Sequence, residues 1–100
     1  MIIDVNRLVP SLIQTKVFEW YSLTGEVVQL DEVCTIRLIS LLKIFKTYYN
    51  ATSFWVYKGN STLSKEVEKW LIDELDMRIH YYESVLLNRA DYVKYKEAGL

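Results

Sequence analysis

A chain of 100 residues, 51% hydrophobic and 25% charged, has the size of one folded domain (residues 1–100) and lies outside the disordered class. Its formal charge is −1, with five acids and five Lys/Arg in the first fifty residues and eight and seven in the second, which excludes a basic tail or a long phosphate-neutralising stripe. The single cysteine, Cys34, excludes an intrachain disulfide and a multi-cysteine zinc site.

The opening MIIDV is a short strand or an apolar anchor. No Lys/Arg-rich leader precedes an apolar secretion segment, so a cytoplasmic setting is expected. The greasiest run, residues 36–45, is broken by Arg37 and Lys43 and is too short to span a bilayer, so no membrane partner is expected. Pro10 fits a first helical turn, and Leu12, Ile13, Val17, Trp20 and Tyr21 predict a helix over residues 11–23. Thr24-Gly25 ends it with a turn that tolerates positive φ. EVVQL, residues 26–30, reads as a strand because of its adjacent β-branched residues.

A second helix is expected from Asp31, as its cap, towards Tyr49. Its apolar residues cover more than one narrow face, which predicts a central helix packed on two sides or completed by another subunit. Cys34, between Val33 and Ile36, reads as a core thiol. SFWVY, residues 53–57, is expected to form a strand that pairs with EVVQL. Gly59-Asn60 then allows a tight turn, and Ser64 caps a third helix. In that helix Val67, Trp70, Leu71, Leu75, Ile79, Tyr82, Val85 and Leu86 advance by threes and fours along one side. The pairs Lys69/Asp73 and Glu74/Arg78 are placed on its exposed face. The fold class is therefore mainly α, three principal helices with a small two-stranded β ribbon.

Little in the chain points to chemistry. Asp76, His80 and Glu83 share one helical face and could orient an imidazole or hold a metal, but a single unclefted helix favours a solvated charge network. HExxH, a phosphate-binding glycine motif, a second histidine and a nucleophile–histidine arrangement are all missing, so neither an enzyme nor a cofactor is expected. The segment from Lys58 to Lys65 could receive an anion; a loop capping its own helix is the simpler reading.

Composition suggests contact instead. Eight tyrosines, three tryptophans and three phenylalanines exceed what the centre of a small core holds with every hydroxyl satisfied. The preferred function is non-catalytic protein interaction by a homo-oligomer or with a larger protein partner. Trp55, Trp70 and Tyr81 are the aromatic contacts, with Glu74 and Arg78 setting register at a rim. A winged-helix-like DNA-binding regulator is the alternative, with Arg37, Lys43 and Lys46 from the second helix and Lys58 and Lys65 from the turn. A third reading is an acidic surface, built from Glu66, Asp73, Asp76, Glu83 and Asp91, that occupies another protein's nucleic-acid channel.

Overall fold

The computed structural model describes residues 5–99. MIIDV therefore lies outside the described residues except for Val5. The chain is mainly helical. It runs α1 (Val5–Gln14), β1 (Glu19–Tyr21), β2 (Val27–Gln29), a 3-10 turn (Leu30–Glu32), α2 (Thr35–Lys58), α3 (Lys65–Leu87) and a short α4 (Tyr92–Glu97).

The first helix starts earlier than its periodicity suggests, and Pro10 sits well inside it. Leu8 and Leu12, four apart, form its buried stripe, and Thr15, just past its last turn, is buried in line with them. Residues beyond Gln14 leave the helix, and Trp20 and Tyr21 belong to β1. The ribbon is antiparallel, with Glu19 opposite Gln29, Trp20 opposite Val28 and Tyr21 opposite Val27. Gly25, at φ 87°, closes its turn, and its N–H donates to the Ser22 carbonyl at 3.0 Å. EVVQL thus contributes a strand as expected, but its partner is the segment read as helix.

SFWVY is helical. α2 continues through it for 24 residues and begins after Cys34 rather than at Asp31, which lies in the 3-10 turn. The apolar period overrides local β propensity here, because Phe45, Thr52 and Val56 continue one inward stripe at steps of seven and four. Gly59, at φ 70°, ends α2 in a Schellman closure, with Asn60 N–H donating to the Trp55 carbonyl at 3.0 Å. Cys34 is exposed at the start of α2, so the core-thiol expectation fails. Its neighbours Val33 and Thr35 turn inward instead.

α3 matches its expected span, and the Ser64 hydroxyl accepts from Val67 N–H at 3.3 Å as its cap. α2 and α3 form an antiparallel hairpin. Phe45 meets Tyr82 edge to face at 5.1 Å, and Lys46 pairs with Glu83 at 3.3 Å. Leu38, Phe45, Leu71, Leu75, Tyr82 and Leu86 are fully enclosed between them, with α1 and the ribbon as the covering layer. Arg89 fastens the chain beyond α3 to the 3-10 turn by donating to the carbonyls of Leu30 and Val33, while the Thr35 hydroxyl donates to Asp91 at 2.8 Å. None of the described helices is long and apolar enough to cross a membrane.

Candidate interaction surface

The inward face of α3 is not wholly apolar. Leu71, Leu75, Arg78 and Tyr82 follow one another at four, three and four residues, which places a guanidinium in the middle of the buried stripe. Arg78 is 0% exposed. Its Nε donates to Glu74 at 2.9 Å, its Nη1 to the Thr15 hydroxyl at 3.0 Å, and its Nη2 to the carbonyls of Leu12 and Thr15. The Trp20 ring lies 5.7 Å from the guanidinium carbon and continues edge to face into Phe45 and then Tyr82. The expectation that Arg78 and Glu74 set register at an exposed rim is therefore wrong. Arg78 is a clamp for the C-terminal end of α1, whose last carbonyls have no helical partner. Glu74, 17% exposed in its side chain, neutralises it from the edge. The spacing of Arg78 between Leu75 and Tyr82 was the signal for burial; the four-residue offset from Glu74 suggested a surface pair only because that motif is common on wet helix faces.

Beside this clamp, α3 leaves an aromatic margin uncovered. Trp70, Met77 and Tyr81 fall within an arc of about 40° at 3.6 residues per turn and are 36%, 47% and 36% exposed. Met77 was not singled out from sequence, although its offsets of seven from Trp70 and four from Tyr81 place it in their row. At the Tyr81 end a shallow cleft of about 200 Å³ lies against Phe18, Leu30, Asp31 and Val85. Phe18 is itself partly exposed, so the apolar margin extends from α3 onto the segment entering the ribbon. Trp55 lies on α2 and is half-buried.

The tyrosines do not all fit the centre of the core, and Tyr82 is the one that is fully buried among those described; most of the others serve the fold from its edge. Tyr48, Tyr49, Tyr92 and Tyr95 pack against the core, and the Tyr21 hydroxyl donates to Gln14 at 2.9 Å. Tyr82 is fully enclosed with its hydroxyl unpartnered, and burial pushes that hydroxyl well above the usual tyrosine range despite the opposing influence of Arg78 and Arg37. Tyr57 and Tyr81 are the two that remain on the surface.

The cationic candidates are dispersed. Arg37 donates to the Tyr21 carbonyl at 3.0 Å and holds the ribbon to α2, Lys46 is paired with Glu83, and Lys58 stands 5.8 Å over the rings of Phe54 and Tyr57. Lys43 is exposed on α2, and Lys65 lines an open cleft of about 660 Å³ at the hairpin end together with Glu68, Lys69 and Asp73. The loop preceding α3 satisfies its own backbone, since Ser61 and Ser64 hydroxyls accept from Leu63 and Val67 N–H.

Asp76 and His80 are exposed; the His80 Nδ1 lies 2.8 Å from the Asp76 carbonyl and 3.5 Å from its carboxylate, while Glu83 turns to Lys46. Among the described residues, no three His, Cys, Asp or Glu side chains converge as a metal site. Comparison with protein-family models, curated proteins and solved structures found no match to this chain.

Proposed function

We propose that this chain is a non-catalytic protein-interaction module whose contact surface is the aromatic margin of α3, formed by Trp70, Met77 and Tyr81 and extended by Phe18. The observation that carries the reading is the placement of three large apolar side chains in one exposed row, directly beside a residue that is completely enclosed. A large aromatic surface held on a rigid helix binds with little loss of side-chain freedom. The Arg78 clamp supplies that rigidity by fixing α3 to α1 and to the ribbon through Trp20. Carboxylates at Glu66 and Asp73 lie along the same side of α3 and give the margin an acidic border that selects alignment and partner charge.

The test compares the wild-type chain with a Trp70→Ala/Tyr81→Ala variant. Light scattering from micromolar to millimolar concentration is expected to show association in the wild type that the variant lacks, and affinity capture from native extract a protein retained by the wild type alone. Both side chains are partly exposed, so the variant is expected to keep its helical circular dichroism. Identical behaviour of the two folded proteins in both measurements overturns the reading.

A further inference from the structure

We infer that the protein recognised by the α3 edge is a second copy of this chain, presenting the outer edge of its α2, so that copies add side by side; this rests on the interaction-module reading above. The contact between Phe45 and Tyr82 fixes which side of each helix faces the seam. Nine residues advance an α-helix by about two and a half turns. Ile36 and Phe54, nine positions before and after Phe45, therefore point away from the seam on α2, and Asp73, nine before Tyr82, points away from it on α3. Their exposure agrees, with Phe54 56% accessible.

The two outer edges are opposite in charge. α2 has no carboxylate over its 24 residues; Arg37 is held to the ribbon and Lys46 to Glu83, which leaves Lys43, and Lys58 beside Phe54, as the cations of its outer edge. Of the six carboxylates of α3, Glu74 and Glu83 are engaged within the chain, and Glu66, Asp73 and Asp76 stand exposed against Lys65 and Lys69. Lys46 and Glu83 already pair across the seam within one chain, at 3.3 Å, which shows the attraction between the two sets. Lys43 and Asp73 lie on opposite edges and meet only between copies. Each edge also offers apolar surface: Ile36 and Phe54 on α2, Trp70 and Met77 on α3. A nucleic acid would use the cationic edge but leave the aromatic one empty, whereas a second copy uses both.

Because the complementary edges face opposite ways, one contact leaves an α2 edge free at one end and an α3 edge free at the other. This is heterologous association, which continues to further copies unless a ring closes.

Sedimentation velocity of the full chain at low salt tests the geometry. One variant blocks the α2 edge (Lys43→Glu/Phe54→Ser) and another blocks the α3 edge (Asp73→Lys/Trp70→Ser). The wild type is expected to grow beyond two chains with concentration and to dissociate with added salt. Each variant alone is expected to need at least about tenfold more protein to associate, while their equimolar mixture forms pairs and stops there. Where a double substitution unfolds the chain, the exposed charge reversals Lys43→Glu and Asp73→Lys are used alone; each is expected to weaken association by itself, and their equimolar mixture to regain growth because the reversed charges attract one another. Wild-type-like association of the α2 variant with loss in the α3 variant would overturn this inference while leaving the interaction module intact. A wild type that stays monomeric, or that binds random duplex DNA through α2 without growing, overturns it as well.

Discussion

The Nη2 of Arg78 lies 2.9 Å from the Leu12 carbonyl, joining the middle of α3 to the end of α1 across 66 positions of sequence. With Thr15 and Glu74 also engaged, the guanidinium is satisfied from several directions inside an enclosed site. Replacing it with Lys keeps the charge but removes the planar fork that reaches two carbonyls, a hydroxyl and a carboxylate together. Arg78→Lys and Glu74→Gln are each expected to destabilise the fold by about 3–5 kcal/mol, with Glu74→Gln at the lower end because its side chain retains some solvent. Urea unfolding followed by circular dichroism measures both.

Tyr82 offers the opposite case, a buried hydroxyl without a partner. Tyr82→Phe removes a group that was desolvated without compensation, so stability at neutral pH is expected to hold or to rise by about 1 kcal/mol. The sign at alkaline pH follows from the raised pKa. Below the ordinary tyrosine value of about 10, both folded and unfolded chains keep this proton. Above it the unfolded chain releases the proton first, and this residue subtracts up to about 1.4 kcal/mol of stability per pH unit. Urea midpoints measured from neutral to alkaline pH are expected to fall less steeply for Tyr82→Phe than for the wild type.

Gly59 has open space where a Cβ would sit, yet its φ is 70°. Gly59→Ala therefore meets no clash with a neighbour, and its cost is confined to the backbone. A loss of about 1–2 kcal/mol is expected, read from the unfolding midpoint with the native circular dichroism spectrum unchanged.

The exposed position of Cys34 is chemically checkable. A small thiol reagent is expected to modify it in the native chain at a rate within about tenfold of that in urea, because no opening of the structure is needed first. Protection that disappears only on unfolding would contradict the placement.

Arg89 and the Thr35–Asp91 bond tie the last segment to the beginning of α2. Arg89→Ala is expected to raise amide exchange in α4 at least about tenfold while amides in the centre of α3 keep their protection. Hydrogen exchange resolved by residue separates this local loss from global destabilisation.

The parts of the fold legible in sequence are those where period, cap and turn agree. α3 has a Ser64 cap, a stripe from Leu71 to Leu86 and a glycine turn before it, so local and long-range preferences point the same way. The ribbon was half legible: Val27 and Val28 announce a strand, but pairing depends on where the preceding helix stops, and Trp20 and Tyr21 fit a helical stripe or a strand equally well. SFWVY misleads because aromatic and β-branched residues favour strands while the longer α2 period carries them as helix. The candidate surface divides in the same way. Trp70 and Tyr81 were visible as the margin of a stripe, whereas the burial of Arg78 depends on an acceptor set at Leu12 and Thr15 that only tertiary structure assembles.

The Arg78 clamp also bears on how far this protein can be taken apart. The α2–α3 hairpin resembles a self-contained unit, but a fragment beginning after Thr15 would carry a cation built for a dry interior into open solvent, beside apolar walls left without a lid. Minimal versions intended for grafting or display must therefore keep the N-terminal helix, even though it lies outside the proposed contact row.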